Sequence, residues 1–170
     1  MTKKVSDSQD AGYWGENEFR SWAAKMAWYP TKFDPDHGID FVCQIRGDRK
    51  GKKVSEMEGK TLNVPVRSTT EDSDTVIIKR SDAELFFSGS SPTVLALVRR
   101  APLGRAGEVA IKFLDEQFIT ELDEFLRGTA KTHTVHFSEA ITDPGEIQQR
   151  VKKLFKQSYV DTIARLRTEL

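Results

Sequence analysis

Two charged side chains lie at positions where a short hairpin would bring them together. In residues 39–46 apolar and polar side chains alternate, which indicates a strand with one buried face, and Asp40 stands at its start. Residues 61–67 alternate in the same way and end at Arg67. Antiparallel pairing of these strands would place a carboxylate near a cation. Oxygen ligands that hold a hard cation, and a positive group that stabilises charge on phosphorus, are requirements of phosphodiester hydrolysis.

The segments around this pair also carry a recognisable pattern, namely Gly15-Glu16, Asp36-His37-Gly38-Ile39-Asp40 and Val66-Arg67-Ser68-Thr69. The pattern resembles the PD-(D/E)XK, or restriction-endonuclease-like, nuclease superfamily. It is most similar to an uncharacterised prokaryotic branch, often found in defence systems, with Gly-Glu in a helix, Asp-x-Gly-Ile-Asp, and a strand ending Gln-x-Lys-Ser/Thr. The resemblance spans roughly residues 12 to 126.

The resemblance implies a metal-dependent site. Asp40, the Val66 carbonyl and Glu16 would hold Mg²⁺ or Mn²⁺, with Asp36 or water completing the coordination, and Asp40, Glu16 and Arg67 would be the catalytic groups. Two positions depart from the pattern: Pro65 replaces the Gln or Glu, and Arg67 replaces the catalytic lysine. Proline offers no side-chain oxygen and arginine does not deprotonate at working pH, so we expect a weak or decayed site.

Pro65 also predicts an irregular strand. Proline removes a hydrogen-bond donor from the ladder and is confined to edges and bulges, so this strand should be distorted at Pro65 or lie at an edge. Other residues have simpler interpretations. Cys43 alternates with core residues and is expected to be a small buried hydrophobe, His37 is expected to be a turn residue, and Asp40 itself could merely end a turn.

Between the two strands lies a cation-rich segment that contains Arg49, Lys50, Lys52 and Lys53. Together with Arg67 these side chains are the candidate nucleic-acid-binding residues, because each lysine or arginine adds a salt-sensitive contact to a phosphate backbone. The alternative is a solvated loop that charge keeps in water.

The elements around the site predict an α/β (α+β) fold. The resemblance makes it a restriction-endonuclease-like mixed central sheet flanked by helices. We expect a disordered N-terminus over residues 1–9, a nuclease-like core over 10–128, and a C-terminal strand and long helix over 129–170, packed on the core or on a partner. The core should hold a first helix over roughly 10–28, strands near 75–79, 93–98 and 108–113, a short helix opened by a capping box at 81–84, and a helix from 115 closed at 128.

The C-terminal helix is expected to start at an Asp143-Pro144-Gly145-Glu146 cap and to run for about 24 residues with one apolar stripe. A helix of this length predicts a homodimer or a contact with a companion protein.

Composition sets outer limits. The 170 residues suit one domain, and 26 basic against 26 acidic side chains leave no net charge, so bulk charge neither favours nor excludes nucleic acid. A single cysteine excludes an internal disulfide, and the chain lacks an apolar run that would span a bilayer. We expect a cytoplasmic protein without a membrane partner.

Three functions follow as hypotheses. The first is a nuclease-fold, DNA-associated protein of a prokaryotic or phage defence context with a weak or decayed site. The second is a non-catalytic assembly module with the same fold. The third is an active metal-dependent endonuclease with an atypical site, which would use Mg²⁺ or Mn²⁺.

Replacing Arg49, Lys50, Lys52 and Lys53 together by serine should flatten the salt dependence of DNA binding, because each lost phosphate contact reduces the number of released counterions. The slope of log affinity against log salt concentration measures this effect. An unchanged slope would place the DNA contact on another part of the chain.

Overall fold

The computed structural model describes residues 7–32, 40–46, 59–69, 73–88, 91–102, 106–156 and 159–168. These residues form a mixed α and β structure, which confirms the predicted class. The helices are α1 (Asp7–Lys25), α2 (Arg80–Ser88), α3 (Glu116–Arg127), α4 (Pro144–Lys156) and α5 (Tyr159–Thr168). The strands are β1 (Trp28–Lys32), β2 (Phe41–Ile45), β3 (Lys60–Val64), β4 (Val66–Thr69), β5 (Thr75–Lys79), β6 (Leu95–Arg99), β7 (Glu108–Lys112) and β8 (Thr132–His136).

The strands form three small sheets in the described part of the chain. The first is an antiparallel meander in the order β1-β2-β3, the second has the order β4-β6-β7, and the third pairs β5 with β8. In the second sheet β4 runs parallel to β6, whereas β6 and β7 are antiparallel. The predicted pairing of β2 with β3 is confirmed, with Phe41 opposite Val64 and Cys43 opposite Leu62.

Pro65 separates the first sheet from the second, as its missing donor predicts. Residues on both sides of Pro65 nevertheless bond to the same neighbouring segment, which comprises β6 and the residues just before it. The Asn63 amide donates to the Pro92 carbonyl, and the Ala96 amide donates to the Pro65 carbonyl, both at 2.9 Å. Pro65 thus keeps its acceptor and lacks only the donor. Beyond Pro65, the Arg67 side chain of β4 reaches Asp82 of α2, whereas Ser68 lies against Gly15 of α1.

Two apolar clusters occupy the two faces of β6 and β7. On one face α1 and α4 pack over β2, β3 and the even-numbered residues of β6, where Phe19, Phe41 and Ala96 are buried. On the other face α2, α3, β5 and β8 enclose Leu95 and Leu97. The buried alternation predicted for β2 is confirmed, with Phe41, Cys43 and Ile45 at 1% exposure or less.

The first helix begins and ends earlier than the sequence predicts. Residues 7–9, assigned to a disordered N-terminus, belong to α1, and residues 1–6 lie outside the described part. The helix stops at Lys25, and Ala27 takes a positive φ of 55°, which a helix cannot continue. The strand β1 that follows was not predicted. It contains Pro30, which it accommodates at the edge of its sheet.

The single long C-terminal helix predicted for residues beyond 143 is wrong. The structure has two helices, α4 and α5, with residues 157 and 158 between them outside the described part. Asp143 caps α4 as predicted, accepting from the Glu146 amide at 2.8 Å. Ile147 and Val151 of α4 and Ile163 of α5 are buried against this chain's own core. The apolar stripe is therefore largely covered within the molecule.

The predicted caps of α3 are confirmed, whereas the prediction for β5 is not. Asp115 caps α3 by accepting from the Phe118 amide at 2.8 Å, and the Gly128 amide closes the helix on the carbonyls of residues 124 and 125. Strand β5, expected to be buried, alternates, and its Ile77 is 62% exposed. None of the helices in the described residues is both long and apolar enough to cross a bilayer.

The helix α1 lies unusually close to β4 at one point, next to the candidate site. A Cβ built on Gly15 would stand 2.7 Å from the Cβ of Ser68. Only a residue without a side chain permits this approach, and the approach fixes the position of Glu16 relative to Arg67.

Gly15→Ala should lower the free energy of unfolding by about 1–3 kcal/mol, because the added methyl group forces α1 away from β4. Gly12→Ala is a matched control in the same helix, where a Cβ meets nothing within 4 Å. This control should be more stable by about 0.5–1 kcal/mol, since alanine favours the helix over glycine. Urea unfolding of both variants measures the difference, and equal effects would contradict the close contact.

Candidate functional site

Arg67 stands at the centre of an ion cluster formed with Asp40 and Asp82, which we call the Arg67 cluster. Its Nη1 donates to Asp40 Oδ2 at 2.8 Å and to the Val66 carbonyl at 2.6 Å. Its Nη2 lies 2.5 Å from Asp82 Oδ2. The planar guanidinium thus joins three oxygens that come from the start of β2, from β4 and from α2. The predicted approach of Asp40 to Arg67 is confirmed.

Asp40 also completes the hydrogen bonding of the sheet. The last pair of the β2–β3 ladder is Phe41 with Val64, so the Val66 amide extends beyond the strand β2. Asp40 Oδ2 accepts this amide at 2.7 Å. The carboxylate therefore replaces a backbone carbonyl of β2 at the point where the chain leaves the first sheet, which is a structural role for Asp40.

Asp82 was missed as a site residue by the sequence reasoning. The capping box predicted for Ser81 and Glu84 differs from the one observed, because α2 begins at Arg80 and Asp82 Oδ2 accepts from the Lys79 amide at 2.8 Å. Asp82 is 1% exposed, and its Oδ1 is buried without a hydrogen-bond partner among the described residues. An acid in the first turn of a helix is an ordinary cap, so no sequence signal distinguished it.

The helix α2 that carries Asp82 is held at both ends. At its start, the Arg80 guanidinium donates to the Leu126 carbonyl at 2.7 Å and to the Gly128 carbonyl at 2.6 Å, where it faces the negative end of α3. Near its end, the Phe86 carbonyl accepts from the buried Tyr159 hydroxyl at 3.1 Å. These contacts make the position of Asp82 a consequence of the packing of α3 and α5.

Burial and ion pairing shift the pKa values of the Arg67 cluster in opposite directions. Burial raises the pKa of Asp40 above its ordinary value, and the charge of Arg67 and the Val66 amide offset this only in part. For Arg67, burial lowers the pKa, but the two carboxylates outweigh it and the net shift is upward. The guanidinium therefore stays charged at working pH.

Glu16 lies at the edge of the cluster and is engaged elsewhere. Its negative charge contributes to the raised pKa of Asp40, which places it within electrostatic range of that carboxylate. Its Oε2, however, lies 2.7 Å from the ammonium of Lys32, a residue of β1 that the sequence reasoning did not assign to the site. Glu16 is therefore close to Asp40 but paired with another cation.

The three predicted metal ligands do not fit Mg²⁺ or Mn²⁺ as the structure arranges them. Asp40 Oδ2 and the Val66 carbonyl both accept from Arg67 Nη1, and Glu16 is paired with Lys32. A metal ion needs these oxygens free, and the guanidinium places a positive charge between two of them. Among the described residues no group of three or more His, Cys, Asp or Glu side chains could hold a metal ion.

Several predicted residues lie outside the described part, namely Asp36, His37, Arg49, Lys50, Lys52 and Lys53. Of the others, Cys43 is buried, and burial raises its pKa to about 12. Its thiol is therefore unreactive, as a core position predicts.

In sequence comparisons, no protein-family model matches the chain, and no curated protein matches it significantly.

Asp82→Asn should lower the free energy of unfolding by about 3 kcal/mol, because it removes the charge that faces Arg67 in a buried site. Glu146→Gln is the control, since Glu146 pairs with Arg150 at 3.6 Å on the surface and about half of each side chain is exposed. The control should change stability by less than about 0.5 kcal/mol. Chemical unfolding at neutral pH checks both values, and a small effect of Asp82→Asn would show that its ion pair is not structural.

Proposed function

We propose that this chain is a nuclease-like, DNA-associated protein of a prokaryotic or phage defence context whose site no longer catalyses hydrolysis. The observation that carries the proposal is the position of Arg67 Nη1, which donates both to Asp40 Oδ2 and to the Val66 carbonyl. These oxygens belong to two of the three ligands that the resemblance assigns to the metal, the third being Glu16. In this proposal the guanidinium replaces the metal ion as the positive charge of a restriction-endonuclease-like fold.

The chemistry of arginine explains why this replacement removes catalysis. A guanidinium stays protonated at working pH, so it can neither take a proton from water nor hold water as a metal ion does. Arg67 is also neutralised by two carboxylates, which reduces the charge left to stabilise a phosphorane-like transition state. One positioned electrostatic or acid–base group typically contributes about a hundred-fold or more to rate, so losing both lowers activity by orders of magnitude.

Support for DNA association comes from the entry to the cation-rich segment. Arg46 is exposed at the end of β2, and its guanidinium lies 4.7 Å from the ring centre of Tyr29, which is 48% exposed. An exposed aromatic ring beside an arginine offers both stacking and phosphate contacts. Arg67, in contrast, is bound to two carboxylates and is not available to a phosphate without breaking an ion pair.

The assembly alternative has less support than the sequence suggested. It was based on the length of one C-terminal helix and its apolar stripe, whereas the structure has two shorter helices and buries Ile147, Val151 and Ile163 within this chain. A homodimer or companion protein is therefore not part of the proposal. The atypical-endonuclease alternative remains an outcome of the cleavage test.

The natural chain should bind DNA with an affinity that falls steeply as salt rises, and it should not cut plasmid or single-stranded DNA in Mg²⁺ or Mn²⁺. Gel-shift titrations over a salt series and plasmid-nicking assays measure the two properties. Asp40→Asn is the control for cleavage, because it removes the aspartate that any metal-dependent route requires. Cleavage by the natural chain that disappears in Asp40→Asn would show an active endonuclease, and salt-independent or absent DNA binding would exclude the DNA role.

A further inference from the structure

We propose that Asp40, Asp82 and the Val66 carbonyl form a cation site whose resident ion is the Arg67 guanidinium, and that a hard divalent cation or a free guanidinium ion binds there once this side chain is removed. The proposal concerns the charge that the site holds, so it is independent of DNA binding. It adds Asp82 to the site and assigns Arg67 a function other than catalysis.

The Arg67 cluster has more hydrogen-bond acceptors than its guanidinium satisfies. Two carboxylates and one guanidinium leave a formal charge of minus one in a site where Asp82 is 1% exposed. Asp82 Oδ1 is buried and unpartnered among the described residues, so the guanidinium does not use all the acceptor capacity of the site. Glu16 adds further negative potential at Asp40. Such surroundings favour any cation that reaches them.

The three oxygens come from parts of the chain that other contacts hold in place. Arg80 and Tyr159 hold α2, and parallel pairing with β6 holds β4. The Val66 amide holds Asp40, the residue before β2. The oxygens therefore hold their positions without depending on the Arg67 side chain alone. A site that keeps its shape when its cation is removed can bind another cation.

In the natural chain, Arg67 itself should prevent a metal ion from binding. Arg67 is tethered to the site, and its Nη1 and Nη2 already contact Asp40 Oδ2, the Val66 carbonyl and Asp82 Oδ2. An incoming divalent ion would have to displace a covalently linked cation and then leave it nearby. Removing the side chain instead leaves the buried Asp82 and the partly buried Asp40 without their cation, which is costly, so a cation that binds them stabilises the fold.

The ligand class follows from the donor atoms. Carboxylate and carbonyl oxygens suit Mg²⁺ and Mn²⁺, which retain several waters, so Asp40 and the Val66 carbonyl could bind directly while Asp82 acts through water. A small guanidinium ion would restore the hydrogen bonds that Arg67 makes.

The test is thermal unfolding of Arg67→Ala with added Mn²⁺, Mg²⁺ or methylguanidinium at millimolar concentration. An ion present at about a hundred times its dissociation constant should raise the Tm by about 5–10 °C for a chain of this size. The wild type should show no comparable rise. Arg80→Ala is the matched control, because the described partners of Arg80 are carbonyls rather than carboxylates, and it should not respond to Mn²⁺.

Adding Asp82→Asn or Asp40→Asn to Arg67→Ala should remove the response, which assigns it to the Arg67 cluster. If Arg67→Ala does not fold alone, recovery of cooperative unfolding on adding Mn²⁺ or methylguanidinium supports the proposal equally. If neither ion restores folding, Arg67→Lys provides the decision, since its smaller ammonium leaves part of the site open: a Tm rise with Mn²⁺ supports the site and its absence overturns it.

Three other results would overturn the proposal. They are a folded Arg67→Ala variant that ignores all three ions, a response that survives both aspartate changes, and a wild-type response as large as that of the variant. DNA cleavage by the natural chain would overturn the proposed function but would leave these outcomes unchanged, so the two proposals fail separately.

Discussion

The structure around the site depends on the neutralisation of one buried charge. Asp82 is 1% exposed, and a carboxylate at such a position is stable only when a cation and hydrogen-bond donors replace its water. Arg67 Nη2 and the Lys79 amide supply them at 2.5 and 2.8 Å. Because Arg67 must reach toward α2, its Nη1 is left beside Asp40 and the Val66 carbonyl. The requirement of one helix cap therefore determines what occupies the remainder of the site.

Pro65 and Asp40 together solve the problem that a change of sheet creates. The strand β3 ends at Val64, so the Val66 amide lies beyond the last pair of the β2–β3 ladder. A buried amide without an acceptor is costly. Asp40 provides that acceptor. The same carboxylate would be a metal ligand in a nuclease, so its place at the start of β2 is compatible with either role. The neighbouring cation decides between them.

The sequence predicted most of the local structure but not the contents of the site. Alternation of apolar residues located β2 and β3, a continuous apolar run located β6, and turn chemistry located the caps at Asp115 and Asp143, because these signals depend on nearby residues. The pairing of Asp40 with Arg67 followed from strand register. The contact of Asp82 with Arg67 could not be predicted from strand register, since it depends on how α2 packs against α3 and α5. The division of this stretch into α4 and α5 was missed because the apolar period of one continues into the other.

In the proposed function Arg67 stands where the resembled nucleases carry a lysine, and that exchange is less conservative than the shared charge suggests. An ammonium is a compact, strongly hydrated point charge with three rotatable donors on a flexible stem, so it can stand beside a metal ion without a fixed planar grip on the metal's ligands. A guanidinium is a planar fork, and in this site its two outer nitrogens reach Asp40 and Asp82 while one of them also reaches the Val66 carbonyl. Its geometry, rather than its charge alone, lets one side chain contact all three oxygens. Under the proposed function, such an exchange would convert a catalytic centre into a structural one while the strands that carry it remain in place.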